Sequence, residues 1–539
     1  MKMFSAIRLI VLGIATAAGM PATAQAPERN TLRIGLVAAD VPLTTGQADQ
    51  GGEGMRFMGY AVYDPLIIPA AGTATEPMRM KPGLASSWSL DPKDNKRWVF
   101  QIRPNVKFHD GSTFTAEAAV WNLDKLLNKD SPQFDPKQAG QGRSRIPAIK
   151  TYRAIDASTL EVMTAEPNAY LPFQIAWVVM SSPTQWEKVG KSWEAFARAP
   201  SGTGPWKIVR VVPRERVEMV RNTEYWDKAA VPAAEKLVLV PVADSNTRVS
   251  ALRSGQLDWI EQPAPDSVAA LKSGGFSVVA GPVLQNWSWT LNRTEGSPWN
   301  DIRVRKAANL AINREGLSAL TSGLVLPSTG FIPPAAEWYG KPGFAAKYDP
   351  AEARKLLSEA GYGAAKPLKL SALITSSDSG QARGLLMNEA IQQDLAKVGI
   401  EMSYEVLEWN TLLNVWRAGS KHASSKGAQA VNVGFFMQDP FAAFERHVRS
   451  DLVAPNGTNW GYYADPEMDK LLAEARQTFD PAQQNKVLMR IHEKIVNEAL
   501  FLFLVHDQSP VALSSRVTGY VHPKNTVIAY DWSKIKLKN

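Results

Sequence analysis

The residue types that usually carry out catalysis are sparse here and lack supporting motifs. The chain has no Cys, which excludes thiolate nucleophiles, thiolate metal sites, structural disulfides and Cys-linked lipid anchors. It has 6 His, and His422 and His447 stand isolated in the sequence. There is no Gly-x-Ser-x-Gly elbow, Walker loop or His-Glu-x-x-His helix. Gly202-Thr203-Gly204 lacks the third Gly and the strand-to-helix setting of a dinucleotide loop, so it reads as a turn. Carboxylate pairs occur, as in any chain of this size, without a motif around them. The sequence therefore predicts no catalytic residue, no metal site and no cofactor. What it holds in quantity is aromatic surface: 17 Trp, 13 Tyr and 18 Phe. Trp287 and Trp289 alternate on one face of the strand-like stretch from Asn286 to Asn292. Core packing accounts for most such rings, and a few in a cleft would stack on and enclose a small ligand.

The elements that must position these rings are mixed α and β. Thr31 to Leu36 and Trp98 to Ile102 alternate as strands, and the apolar run from Leu237 to Val242 fits a buried strand. Residues 116–127 read as a helix capped by Thr115. Asp349-Pro350, Asp465-Pro466 and Asp480-Pro481 each place an acceptor at the N-cap and Pro at the first helical position. Between 368 and 407 a strand, a helix from Arg383 to Val398 closed by Gly399, and a second strand from Ile400 make a β-α-β unit. A parallel sheet follows from it. No low-complexity linker divides the chain, so its domains are expected to interleave.

The chain has 539 residues, long enough for two or three domains. Lys2 and Arg8, the apolar run Leu9 to Ala15 and Ala24-Gln25-Ala26 make residues 1–26 a secretory signal peptide. The run is too short to span a bilayer of about 30 Å. Cleavage would remove two of the charges that make up the net +8. There is no run of five like charges, which disfavours a nucleic-acid partner. An exported protein without Cys suits the bacterial periplasm.

Five ordered blocks resemble the family 5 extracellular solute-binding proteins, the peptide- and nickel-type binding components of ABC importers. The first runs from Leu84-Ala85-Ser86-Ser87-Trp88 through Val106-Lys107-Phe108-His109-Asp110-Gly111 to Glu117. Gly202 to Lys207 with Arg221 to Trp226 is similar to the second, and Asn246-Thr247-Arg248 with Ala251 to Asp258 to the third. Leu291-Asn292 with Ile302 to Glu315 resembles the fourth. Tyr348-Asp349-Pro350 to Tyr362 and Asp465 to Asp469 complete the set. Most of these residues read as structural: Gly111 as a turn residue, Asp301 as a helix cap.

The resemblance implies an α/β, two-lobed periplasmic-binding-protein fold of type II. The first lobe would be 27–288 plus 506–539, with an extra subdomain near 70–200, and the second lobe 289–505. A monomer would capture a small peptide-like, opine-like or sugar-like ligand between the lobes and deliver it to a membrane permease. Peptide-binding relatives hold the ligand's α-ammonium with an Asp four residues before a Pro. In Gly434-Phe435-Phe436-Met437-Gln438-Asp439-Pro440 that position is Phe436. An ammonium buried against Phe without a counter-charge would cost several kcal/mol. A ligand with an uncharged or acidic head is therefore expected, with Asp439 as the only local substitute. By position, the ligand-binding candidates are Trp177, Trp287, Trp289, Trp409, Phe436, Asp439, Asn459 and Trp460. Arg383 and Arg417 are candidate partners for an anionic group. The alternative reading is an exported hydrolase acting on peptides or glycans, which would need a nucleophile, an acid/base pair or a metal site.

Overall fold

A computed structural model describes residues 30–48, 51–70, 79–376, 383–437, 439–523 and 530–538. The expected signal peptide lies outside these residues, as do Gln438 and the segment 377–382.

Alternation of apolar residues builds the first sheet. Leu32, Ile34 and Leu36 are fully buried on the strand Thr31–Leu36, which pairs in parallel with Lys236–Pro241 and with Trp259–Glu261. Seven strands join in the spatial order Ser277–Val279, Val511–Leu513, Trp259–Glu261, Thr31–Leu36, Lys236–Pro241, Arg216–Arg221 and Trp206–Val212. The second sheet has six strands: Val325–Pro327, Phe501–Asp507, Gln285–Leu291, Ala430–Phe436, Leu368–Thr375 and Ile400–Leu407. The β-α-β unit is present, with Leu368–Thr375 parallel to Ile400–Leu407 and the helix Gly384–Ala396 between them in sequence. These two sheets make the two lobes.

The chain passes between the lobes at 280–284 and 508–510. Those crossings differ from the 288/289 and 505/506 boundaries expected from the sequence. The reason is hydrogen bonding: Gln285–Leu291 and Phe501–Asp507 pair with each other as whole strands of the second sheet. After the second crossing, Val511–Leu513 rejoins the first sheet, and Tyr530, Trp532 and Ile535 pack into its core.

A third, antiparallel sheet of Ala85–Asp91, Asp94–Ile102, Thr159–Thr164 and Ile149–Asp156 forms the extra subdomain, with its helix Ala116–Leu127. Thr115 caps that helix by accepting the Ala118 N–H. The family-like blocks hold this subdomain to the first lobe. A Cβ on Gly202 would lie 2.2 Å from the Val62 carbonyl oxygen, so only glycine permits the approach. Beside it, buried Asp64 accepts hydrogen bonds from Thr203 at 2.9 Å, Tyr225 at 2.8 Å and the Trp226 indole at 3.0 Å. The buried His109 imidazole meets the Gly204 carbonyl at 3.0 Å, and desolvation lowers its pKa to about 4. Gly111 occupies the left-handed region at φ 89°, the turn role its type predicts. The Asp-Pro starts all cap helices: Asp349 for Pro350–Glu359, Asp465 for Pro466–Gln477 and Asp480 for Pro481–Asn497.

Candidate functional site

The strand Ala430–Phe436 ends where the lobes face each other. Its side chains alternate, so Phe435 and Phe436 point to opposite faces. Phe435 packs in the second-lobe core, whereas Phe436 packs against the core of the first lobe. Phe436 therefore sits on the interlobe surface. Asp439, three residues on, caps the turn that follows: its Oδ1 accepts the Ala442 N–H at 2.8 Å. Pro440 and the short helical stretch Phe441–Val448 continue from it.

Charge gathers at this point. Asp439, Arg145 and Arg446 are all buried. Burial raises the pKa of Asp439, while the cap hydrogen bond and the positive charges of Arg145 and Arg446 pull it back. Arg145 belongs to the extra subdomain, and its guanidinium lies 3.7 Å from the centre of the Trp177 ring. His447 is pushed well below its usual pKa by burial and then by the same two arginines, so it is neutral. Its ring rests 4.2 Å from that of Phe435.

A second set of contacts ties the extra subdomain to the second lobe. Arg476 bridges Glu445 of the second lobe and Glu166 of the subdomain, the latter at 2.9 Å. Glu445 also takes Arg449 at 2.5 Å. The Ala169 N–H donates to the Arg476 carbonyl at 2.8 Å, and Tyr170 is buried in the second-lobe core. The lobes are thus in contact across the cleft.

The sequence-derived candidates divide by location. Phe436 and Asp439 come together with Arg145 and Arg446 between the lobes, and Trp177, buried in the first-lobe core, lies beneath Arg145. Trp287 and Trp289 point into a second-lobe core, where the Trp289 indole donates to Asn388 at 3.1 Å. Trp460 lies in the other second-lobe core, fully buried. Trp409 starts the helix Trp409–Ala418 and packs against that same core. The Asn459 amide donates to the Arg449 and Tyr463 carbonyls at 3.2 and 2.7 Å. Arg145 and Arg446 escaped sequence reasoning because each is an ordinary basic residue until folding buries it. Among the described residues, no group of three or more His, Asp or Glu could hold a metal ion.

Comparison with known proteins decides the family. Residues 79–444 match the model of the bacterial extracellular solute-binding proteins, family 5, middle region. The chain belongs to this family. The glutathione-binding protein GsiB of Pectobacterium atrosepticum is 28% identical over 462 residues, covering 83% of this chain and 84% of that protein. The fold of this family 5 protein is shared by DppA from Helicobacter pylori, solved in complex with the peptide STSA, at TM-score 0.82 and 23% identity. That likeness covers 94% of this chain and 98% of DppA. AgaA from A. tumefaciens R10, solved with agropinic acid, matches at TM-score 0.76 and 22% identity over 94% of this chain and 99% of AgaA. This family 5 protein is a periplasmic solute-binding receptor that serves an ABC importer, with its solute taken up between two lobes.

Proposed function

We propose that this receptor is exported by cleavage after Ala26, works as a monomer without catalysis, and encloses a small acidic solute at the Trp177, Phe436 and Asp439 surface. The observation that carries the acidic preference is the setting of Asp439. A carboxylate that caps a turn and faces two buried guanidiniums is already compensated, and it makes a poor partner for a ligand ammonium. Phe436, in the place where peptide-binding relatives carry Asp, offers none. Trp177 and Phe436 supply flat apolar surface, and Arg145 and Arg446 supply positive potential in a place that closure keeps dry. An acidic peptide-like solute, as the name of GsiB supports, or an opine-like one, as bound by AgaA, fits this surface. No nucleic acid or metal enters this reading.

Native mass spectrometry of residues 27–539 purified from periplasm tests it, followed by denaturation and identification of the released solute. An acidic solute without a free α-ammonium near the Phe436 side is the expected result. A released peptide whose retention is abolished by Asp439→Asn would overturn the reading.

A further inference from the structure

We propose that the extra subdomain and the second lobe are fastened by a detachable clasp, in which Tyr170 and Phe479 are exchanged between the two sides around the Arg476–Glu166 ion pair, and that this clasp, not the hinge alone, keeps the cleft shut. The proposal concerns how the cleft is closed and does not depend on which solute it takes.

Two short turns make the contact. Tyr170 follows the subdomain strand Thr159–Thr164, yet it is 1% exposed within the second-lobe core that holds Phe441 and Phe444. Phe479 sits in the turn between the second-lobe helices Pro466–Gln477 and Pro481–Asn497, yet it packs on the subdomain core, its ring 6.3 Å from that of Trp98. Each side therefore gives one ring and receives one. Two polar contacts lie alongside. The Arg476 guanidinium meets Glu166 at 2.9 Å, and the Ala169 N–H donates to the Arg476 carbonyl at 2.8 Å.

Each turn is built without the other. Buried Asn168 accepts the Tyr170 N–H at 3.0 Å and donates to the Gln174 side chain at 2.9 Å. Gln484 donates to the Ala475 and Thr478 carbonyls at 3.0 and 2.9 Å, and Asp480 caps the next helix. These bonds stay within one side, so both rings remain presented when the sides part. Among the described residues, no strand pairs between the subdomain sheet and the second-lobe sheet. The contact can therefore open without breaking a ladder of backbone hydrogen bonds. Opening exposes both rings to water and closing hides them again, which drives the sides together.

The clasp shares its elements with the solute surface. Glu445, buried and paired with Arg476, directly precedes Arg446, which faces Asp439. The segment from Glu166 runs through Tyr170 and the helix Leu171–Ile175 to Trp177, beneath Arg145. The charges of Glu445, Arg476 and Asp439 all reach Tyr170. A solute seated beside Asp439 and the clasp thus act on the same two stretches of chain, and each favours the closed arrangement for the other.

The test uses residues 27–539, which contain no Cys. Glu117→Cys on the subdomain helix and Lys470→Cys on the second lobe, both exposed, take spin labels at two defined places. Double electron–electron resonance then reads the distance between the sides. Phe479→Ala should shift the distribution to longer distances. Hydrogen exchange of residues 166–170 should quicken about tenfold, while the strands Asp94–Ile102 and Phe501–Asp507 keep their protection. Glu166→Arg should do the same from a side chain that is 41% exposed, by setting two guanidiniums against each other. It decides the matter if Phe479→Ala disturbs the subdomain core. Unchanged distances in both variants, or longer distances only where those strands also lose protection, would overturn the clasp. If both variants open the cleft while the released solute is not acidic, the clasp stands and the solute reading falls. If the solute is acidic and the distances do not move, only the clasp falls.

Discussion

The two ends of the interlobe cleft each bury an aspartate at the end of a second-lobe strand, and they treat it differently. At one end Asp439 caps a turn and faces Arg145 and Arg446. At the other, Asp507 accepts a turn N–H and has Arg56 and Glu261 as its charged neighbours. Burial raises both carboxylates. The neighbours then differ: two guanidiniums, Arg145 and Arg446, face Asp439, whereas at Asp507 the pull of Arg56 is opposed by Glu261.

The largest effect should come from cutting the contact that holds these ends in register. Arg476→Met leaves Glu445 buried with Arg449 as its remaining partner and removes the bridge to Glu166. We expect a loss of about 3–5 kcal/mol in denaturant unfolding, the usual outcome of breaking a buried ion pair from one side. Small-angle scattering should also show a more open chain. An unchanged scattering profile would show that closure does not depend on this bridge.

Next in size is the pH dependence of Asp507. The unfolded chain loses this proton near 3.8, and the native protein near 6. Between those values the native state holds the extra proton, so stability is full below about 4 and falls as pH rises to 6. The decline is about 2–3 kcal/mol by the shift between states. Asp507→Asn should flatten this part of the thermal stability profile, and a profile identical to the parent would remove Asp507 as its source.

Asp439→Asn should cost less, about 1–2 kcal/mol, because the asparagine oxygen keeps the cap while the charge facing Arg145 and Arg446 is lost. Acidic solutes should then bind more tightly. Equal or weaker binding would show that the arginines do not reach the solute.

The smallest change is in solute choice. Phe436→Asp should shift preference from acidic toward ammonium-bearing solutes by about tenfold, or about 1.4 kcal/mol, with the fold intact. Unchanged binding across a solute panel would remove Phe436 from the site.

Local signals carried much of this molecule. Strand alternation at Thr31–Leu36, the caps at Thr115, Asp349, Asp465 and Asp480, and the β-α-β unit at 368–407 were all legible, because each depends on residues close in sequence. The all-buried strand Phe501–Asp507 held one missed clue: a His-Asp pair ending an apolar run marks a polar site in a buried place. The indoles were harder to sort. Trp177 and Trp289 look alike in sequence, yet one lies in the first-lobe core under Arg145 and the other donates to Asn388 inside a second-lobe core. Periodicity tells which side of a strand a ring occupies, and not whether that side meets a helix or another lobe.

By itself, the sequence determined the elements, the family and the absence of cysteine chemistry, since those follow from residue type, spacing and motif order. Tertiary structure alone decided where the chain crosses between lobes and which arginines are buried beside which aspartates. Arg145 and Asp439 are hundreds of residues apart, and so are Arg56 and Asp507. Their pairing depends on long-range packing, and a buried charge takes its meaning from neighbours that only the folded chain supplies.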